Sequence, residues 1–291
     1  MNENLNGIVV VNKEQSYTSH DVVNILRKKY KIKKVGHTGT LDPNATGVLP
    51  VCFGSATKVA DMITLSDKEY IAEMVLGKTT DTQDIWGKVV SQKDARVSQK
   101  DFEDAIMSFC GTVTQIPPMF SAIKVNGKKL YEYARAGIEI ERKKRVVEIK
   151  EIEILNLTEN TAKFRVKSEK GLYVRTLCND IGEKLGCGAC MTSLLRTQSS
   201  CFKISDSYTL SQLDSKSLSD VLISTDKIFL DYPSYTADEE IKTRLINGAV
   251  STVNLEKGQY RVYDETGLFL CVADVFYYNG RNVIKSKKLF I

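Results

Sequence analysis

The apolar positions change period along the chain, and each change marks an element. GIVVVNK, residues 7–13, is a short unbroken apolar run of the kind a buried strand carries. In SHDVVNILRKKY, residues 19–30, Val22, Val23, Leu26 and Tyr30 recur at helical spacing, with Ser19 as the expected N-cap. GVLPVCFG (47–54) predicts a second buried strand, and SATKVADMI (55–63) a short helix capped by Ser55. KEYIAEMVLG (68–77) alternates as a strand does, placing Tyr70, Ala72, Met74 and Leu76 on one face. Ser98 and Asp101 form a capping-box pattern for a helix over 98–110, ended by Gly111. RVVEIKEIEIL (145–155) and AKFRVKSEKG (162–171) are strands again. In the first, Val147 and Ile149 are out of phase with Ile152 and Ile154, which predicts a bulge between the pairs. YVRTLCNDIGEKLG (173–186) is the clearest helix: Val174, Leu177, Ile181 and Leu185 form its stripe and Gly186 stops it.

Two stretches do not fit a period. Residues 115–145, QIPPMFSAIKVNGKKLYEYARAGIEIERKKR, carry Pro117-Pro118, Gly127, Gly137 and many cations, with one helical patch at 129–136. An irregular stretch of that length reads as an inserted functional loop. SDSYTLSQLDSKS (205–217) is rich in Ser and Asp and reads as a poorly packed connector. Beyond Pro233, short strands with turns at Gly248, Gly258, Gly267 and Gly280 predict a small β unit of about 60 residues. The expected architecture is α+β: a mixed sheet with flanking helices, then a small β domain.

A chain of 291 residues is long for one core, so two units are expected. Hydrophobic residues make up 42% and charged residues 26%, and no apolar run reaches the roughly 20 residues that a bilayer requires. MNENLNG, at the start, has no basic or apolar leader character, so a cytoplasmic protein is expected. The 7 cysteines are an odd number and read as reduced thiols. Net charge is +5, and its distribution says more than its size. RKKYKIKK (27–34), ERKKR (141–145) and KSKK (285–288) are three separate basic runs, which points to a polyanion such as nucleic acid.

Candidate chemistry narrows by exclusion. Cys187 and Cys190 have C-x2-C spacing, but no second tight pair exists and the chain has only 2 histidines, so no metal site is expected. No phosphate-binding glycine loop and no G-x-S-x-G elbow occurs. What remains is GHTGTLDPNATG (36–47), a glycine-rich loop with one carboxylate, Asp42, held before Pro43. The proline pushes Asp42 toward extended backbone, and Gly36 and Gly39 are read as turn positions. Such a loop can hold a carboxylate against a sugar or a base, where it can act as a nucleophile. An Asp-Pro turn with no chemistry has the same local signature.

Four blocks resolve the choice. GHTGTLDPNATGVLPVCFGSATK, KEYIAEMVLGKTTDTQDIWG, PPMFSAIKVNGKKLYEYARAG and KGLYVRTLCNDIGEKLGCGACMTSLLRT resemble, in order, the signature stretches of the TruB family of tRNA pseudouridine synthases. The upstream stretch VNKEQSYTSHDV departs from the family pattern, with Glu14 where proline is common and Ser16 where glycine is common. The resemblance implies the pseudouridine synthase fold for residues 1–230, an inserted RNA-gripping segment at 115–145, and a PUA-like RNA-binding β domain at 231–291. It implies conversion of uridine to pseudouridine at position 55 in the T loop of tRNA, with no cofactor or metal required. A monomer is the default expectation, and the long 115–145 insertion favours an enzyme that needs no guide RNA or protein partner. Carried over by position, Asp42 is the essential carboxylate, Arg175 its ionic partner and Tyr70 the stacking ring. Tyr173 and Leu194 are further pocket residues, and His37 fills the space that an extruded nucleotide leaves. Asp81 is either a neighbour of the site or a loop cap. In the insertion, Lys124, Lys128, Lys129, Arg135, Arg142, Lys143 and Lys144 are candidates for the RNA backbone. Tyr131, Tyr133 and Phe120 offer flat surfaces there. The alternatives are the RNA-guided branch of the family, which acts on ribosomal RNA, and a tRNA-folding chaperone.

Overall fold

The computed structural model describes residues 5–291, so residues 1–4 of the MNENLNG stretch lie outside it. In chain order the first half holds β1 (Gly7–Lys13), α1 (Ser19–Tyr30), β2 (Val35–His37), β3 (Thr46–Phe53), α2 (Ala60–Thr64) and β4 (Lys68–Leu76). There follow β5 (Lys78–Thr80), β6 (Val89–Gln92), α3 (Gln99–Met107), β7 (Gly111–Gln115), β8 (Lys124–Val125), β9 (Lys128–Lys129) and α4 (Leu130–Arg135). The second half holds β10 (Arg145–Leu157), β11 (Thr161–Ser168), α5 (Val174–Lys184), β12 (Ala189–Ser199), β13 (Phe202–Lys203), α6 (Leu210–Asp214) and α7 (Leu218–Val221). Last come β14 (Ser234–Ala237), α8 (Glu239–Ile246), β15 (Ser251–Thr252), β16 (Gly258–Asp264), β17 (Phe269–Tyr278) and β18 (Arg281–Leu289).

The main sheet runs β1-β3-β12-β4-β11-β10-β7, with β2 beside β3 and β13 beside β12. Only the β3–β12 pair is parallel, so the expected mixed, largely antiparallel sheet is present. The unbroken apolar run of β1 has a physical reason, because both of its faces are covered. Val9 and Val11 pack with Val22, Val23 and Leu26 of α1. Ile8 and Val10 point the other way, into a core that also takes Phe269 and Val272 from the C-terminal sheet and Phe290 just beyond it. The two units therefore share apolar packing. The C-terminal sheet runs β14-β16-β17-β18-β15.

The bulge expected in β10 is present: its register against β11 shifts between Ile149 and Glu151. Other expectations need correction. The N-cap of α1 is Thr18, which forms a reciprocal capping box with Asp21, while Ser19 is buried and bonded elsewhere. Residues 54–59 form a 3₁₀ turn before α2, and the Ser55 hydroxyl donates to the Phe290 carbonyl instead of capping a helix. Gly111 opens β7; α3 ends earlier, at Ser108. The 205–217 connector is not loosely packed. Tyr208 exchanges backbone hydrogen bonds with Val10 and Asn12, and Ile223 with Ile8, along the free edge of β1. Leu213 is buried within it, and Leu218 and Val221 just after it. The terminal unit also contains α8, capped by Asp238, which a purely β reading left out.

Candidate active site

Three separate tethers fix the loop that carries Asp42. The Ser19 hydroxyl donates to the Leu41 carbonyl (3.2 Å) and accepts from the Leu41 amide (2.9 Å). The Lys13 ammonium, fully buried, donates to the carbonyls of Glu14 (2.9 Å), Tyr17 (2.7 Å) and Pro43 (2.9 Å), so it bridges two loops. Burial lowers its pKa to about 8, against the opposing pull of Asp42. Arg196, on the central strand β12 and fully buried, donates from Nε to Val48 O (2.7 Å) and from Nη2 to Gly39 O (3.1 Å). Burial lowers its pKa too, although an arginine stays charged. Gly39 has φ +78°, a conformation that disfavours a side chain, whereas Gly36 lies in β2 without a positive φ. Ser16 also has a positive φ, of 72°, a conformation that glycine adopts at less cost.

At the end of this loop Asp42 meets Arg175, on the first turn of α5. Arg175 Nε lies 2.8 Å from Asp42 Oδ2, and Nη2 donates to Oδ1 at 3.1 Å. The guanidinium also donates to Thr82 O and Phe120 O, both at 3.0 Å. The arginine side chain is 4% exposed and the aspartate 37%. A buried planar cation thus holds a carboxylate that still faces an open cleft. That cleft is lined by Thr40, Leu41, Asp42, Tyr70, Leu172, Tyr173, Val174, Arg175 and Leu194. It gathers Asp42, Arg175, Tyr70, Tyr173 and Leu194, which come from four distant stretches of chain. Burial raises the Tyr173 phenol pKa, so it remains protonated and able to donate.

The remaining candidates lie elsewhere. His37 ends β2 and is not among the residues lining the cleft. Desolvation, followed by the repulsion of Arg196 and His20, lowers its pKa and favours the neutral ring. Its Nδ1 is buried without a hydrogen-bond partner. Asp81 caps its loop, accepting the Lys88 amide at 2.7 Å. The residue that reaches Arg175 from this block is Asp84, with Oδ2 3.9 Å from Nη1, and the sequence reading passed over it. Burial raises its pKa, while the Thr82 hydroxyl (2.7 Å) and Arg175 oppose the rise. Arg196 and the tethering role of Lys13 were missed as well; a lysine or arginine inside a strand pattern carries no mark of its tertiary partner.

Within residues 115–145, Lys124, Lys128, Arg135, Lys143 and Lys144 are exposed. Lys129 and Arg135 both lie over the Tyr131 ring, at 5.4 and 5.3 Å from its centroid. Arg142 is half-buried and donates to Pro117 O (3.2 Å) and Glu139 (3.0 Å), so it fastens the segment to itself. Cys178, Cys187 and Cys190 are buried free thiols, and among the described residues no group of three or more His, Cys, Asp or Glu converges. No helix among them is long and apolar enough to cross a membrane.

Residues 27–174 match the description of the TruB family pseudouridylate synthase N-terminal domain, and residues 175–228 that of the tRNA pseudouridylate synthase B C-terminal domain. The chain is 43% identical over 293 aligned positions to the tRNA pseudouridine synthase B of Clostridium kluyveri, covering 99% of this chain and all of that one. It is 47% identical to the Listeria innocua protein of the same name, with 84% of each covered. Among solved structures, a Cbf5-Nop10-Gar1 complex aligns with TM-score 0.72 at 25% identity, over 98% of this chain and 85% of that one. An H/ACA RNP bound to a substrate RNA containing 2'-deoxyuridine aligns with TM-score 0.71 at 22% identity, over 98% and 85%, a likeness of fold. The sheet, its flanking helices and the terminal β domain have the pseudouridine synthase architecture. The chain belongs to the TruB family of pseudouridylate synthases and is an enzyme of the isomerase class.

Proposed function

We propose that this enzyme converts uridine 55, in the T loop of tRNA, to pseudouridine, acting alone and with Asp42 as the essential carboxylate. The observation that carries the reading is the Asp42–Arg175 pair at the mouth of a cleft lined by Tyr70, Tyr173 and Leu194. The reaction is an isomerisation. The C1′–N1 bond breaks, C1′ bonds to C5, the C5 proton leaves and N1 gains one. An ionised carboxylate aimed by a guanidinium can attack the sugar or the ring, or assist elimination at the sugar. The base must leave its stack to reach the cleft, and the Tyr70 ring offers a face to replace the lost neighbours. His37, neutral and with Nδ1 unpaired, is the residue assigned to the vacated space. Residues 115–145 serve as the RNA-gripping arm, with Lys124, Lys128, Lys129, Arg135, Lys143 and Lys144 toward phosphates. Residues 1–230 form the catalytic domain, and 231–291 a PUA-like RNA-binding domain.

Asp42→Asn tests the reading. A transcript of the T stem-loop with 5-tritiated uridine is incubated with the purified protein alone, and tritium release is followed together with mapping of pseudouridine. Release is expected to cease in Asp42→Asn while RNA affinity changes by no more than about threefold, since phosphate contacts dominate affinity. Persisting release in the variant, or a wild-type protein that works only with an added guide RNA, would refute it.

A further inference from the structure

We infer that Gln115 is a positioning residue for the reaction. It anchors the root of the inserted arm to the helix start that aims Arg175 at Asp42. This rests on the reading of Asp42 as the essential carboxylate. Gln115 closes β7, immediately before Ile116-Pro117-Pro118, and its side chain is buried at 3% exposure. A buried amide needs partners for both its ends. Here both are found on one residue: Nε2 donates to Tyr173 O at 3.3 Å, and Oε1 accepts from Tyr173 N at 3.1 Å. The side chain therefore pairs with a backbone unit as a neighbouring strand would.

Tyr173 is the N-cap of α5, and its own side chain makes no cap hydrogen bond. Its carbonyl also accepts the first helical bond, from Leu177 N at 3.0 Å. The position of this peptide unit sets where Arg175, two residues later, leaves the helix. A second link joins the same two parts, since Arg175 Nη2 donates to Phe120 O in the arm. From Phe120 the path leads outward. Ser121 O accepts from Tyr131 N (3.1 Å) and Ile123 O from Leu130 N (2.8 Å), which docks α4 on this limb. Gln115 and Phe120 thus bracket the limb that connects the RNA-facing helix to the ion pair. Gln115 touches no reacting atom. It acts by holding Tyr173 and the origin of α5 in register with that limb.

The test uses Gln115→Met, which keeps length and loses both hydrogen bonds, and Gln115→Glu, which keeps the acceptor for Tyr173 N and loses the donor to Tyr173 O. Single-turnover rates at saturating T stem-loop RNA, RNA affinity and thermal midpoints are measured for each. The rate constant of Gln115→Met is expected to fall about 10- to 100-fold, as slight misplacement of a reacting group does. Its RNA affinity should stay within about threefold of wild type, because the exposed phosphate-facing cations are untouched. The discriminating readout is a cycle with Arg175→Lys. If Gln115 acts through Arg175, adding Gln115→Met to Arg175→Lys slows the reaction by less than about twofold more. Multiplying effects in the double variant, or a Gln115→Met rate equal to wild type, overturn the inference. Asp42→Asn is run alongside. An active Asp42→Asn refutes the catalytic reading itself, whereas an inactive Asp42→Asn beside a fully active Gln115→Met refutes only the role of Gln115.

Discussion

Replacing Arg175 by methionine perturbs stability and chemistry at once, and the structure sets the scale of both. The guanidinium makes two contacts with Asp42 and one each with Thr82 O and Phe120 O. Breaking a fully buried ion pair costs about 3–5 kcal/mol, because a charge is left without a partner. Asp42 keeps 37% of its side chain in solvent and can rehydrate. The loss is therefore set lower, at about 2–3 kcal/mol. A domain of this size shifts its melting midpoint by roughly 2–4 °C per kcal/mol, so a drop of about 4–12 °C is expected. Total stability of about 5–15 kcal/mol leaves the variant folded at 25 °C. Arg175→Lys keeps the charge but cannot reproduce the planar fork, and should lose about half as much. Both variants should release tritium from 5-tritiated uridine at least about 100-fold more slowly, since the carboxylate is no longer aimed. Thermal melts followed by circular dichroism and the tritium assay check the two halves. If Arg175→Met melts within a degree of wild type and keeps its rate, the ion pair neither supports the loop nor serves the reaction.

Two further outcomes follow from other parts of the molecule. Lys13 is charged in the unfolded chain up to its ordinary pKa of 10.5, while burial holds the folded value near 8. Between those values the unfolded state binds more protons, so the Lys13 contribution to stability rises with pH from about 8 to 10.5. Urea midpoints measured across that window should climb less in Lys13→Met than in wild type, and an identical climb would remove Lys13 as the source. Removing Lys124 and Lys128 together should weaken T stem-loop binding about 5- to 10-fold at 0.1 M salt and flatten the salt dependence by roughly one to two counterions. An unchanged slope in filter-binding titrations would place the RNA elsewhere.

Several features were legible in the sequence because they are local. The slipped phase of Val147, Ile149, Ile152 and Ile154 is a property of consecutive residues, and it appears as the register shift in β10. The stripe of α5 and its stop at Gly186, φ +73°, are local in the same sense. The central strand β12 was not legible. Its alternation is broken by register shifts between Met191 and Ser193 and between Arg196 and Gln198. It also carries an arginine that would ordinarily argue for solvent. Arg196 is tolerated there because the carbonyls of Val48 and Gly39, about 150 residues earlier, supply its acceptors.

The site divides along the same line. GHTGTLDPNATG determines by itself that Asp42 stands in a constrained loop, because proline and glycine restrict or free backbone angles wherever they occur. Nothing local determines that the carboxylate faces a guanidinium 133 residues away, that Asp84 rather than Asp81 approaches it, or that the Gln115 amide pairs with the backbone of Tyr173. Those pairings exist only once β3, β12 and β4 lie side by side and α5 packs across them. Ion pairs and buried hydrogen bonds depend on distance in space, and hydrophobic period fixes only which face of each element turns inward.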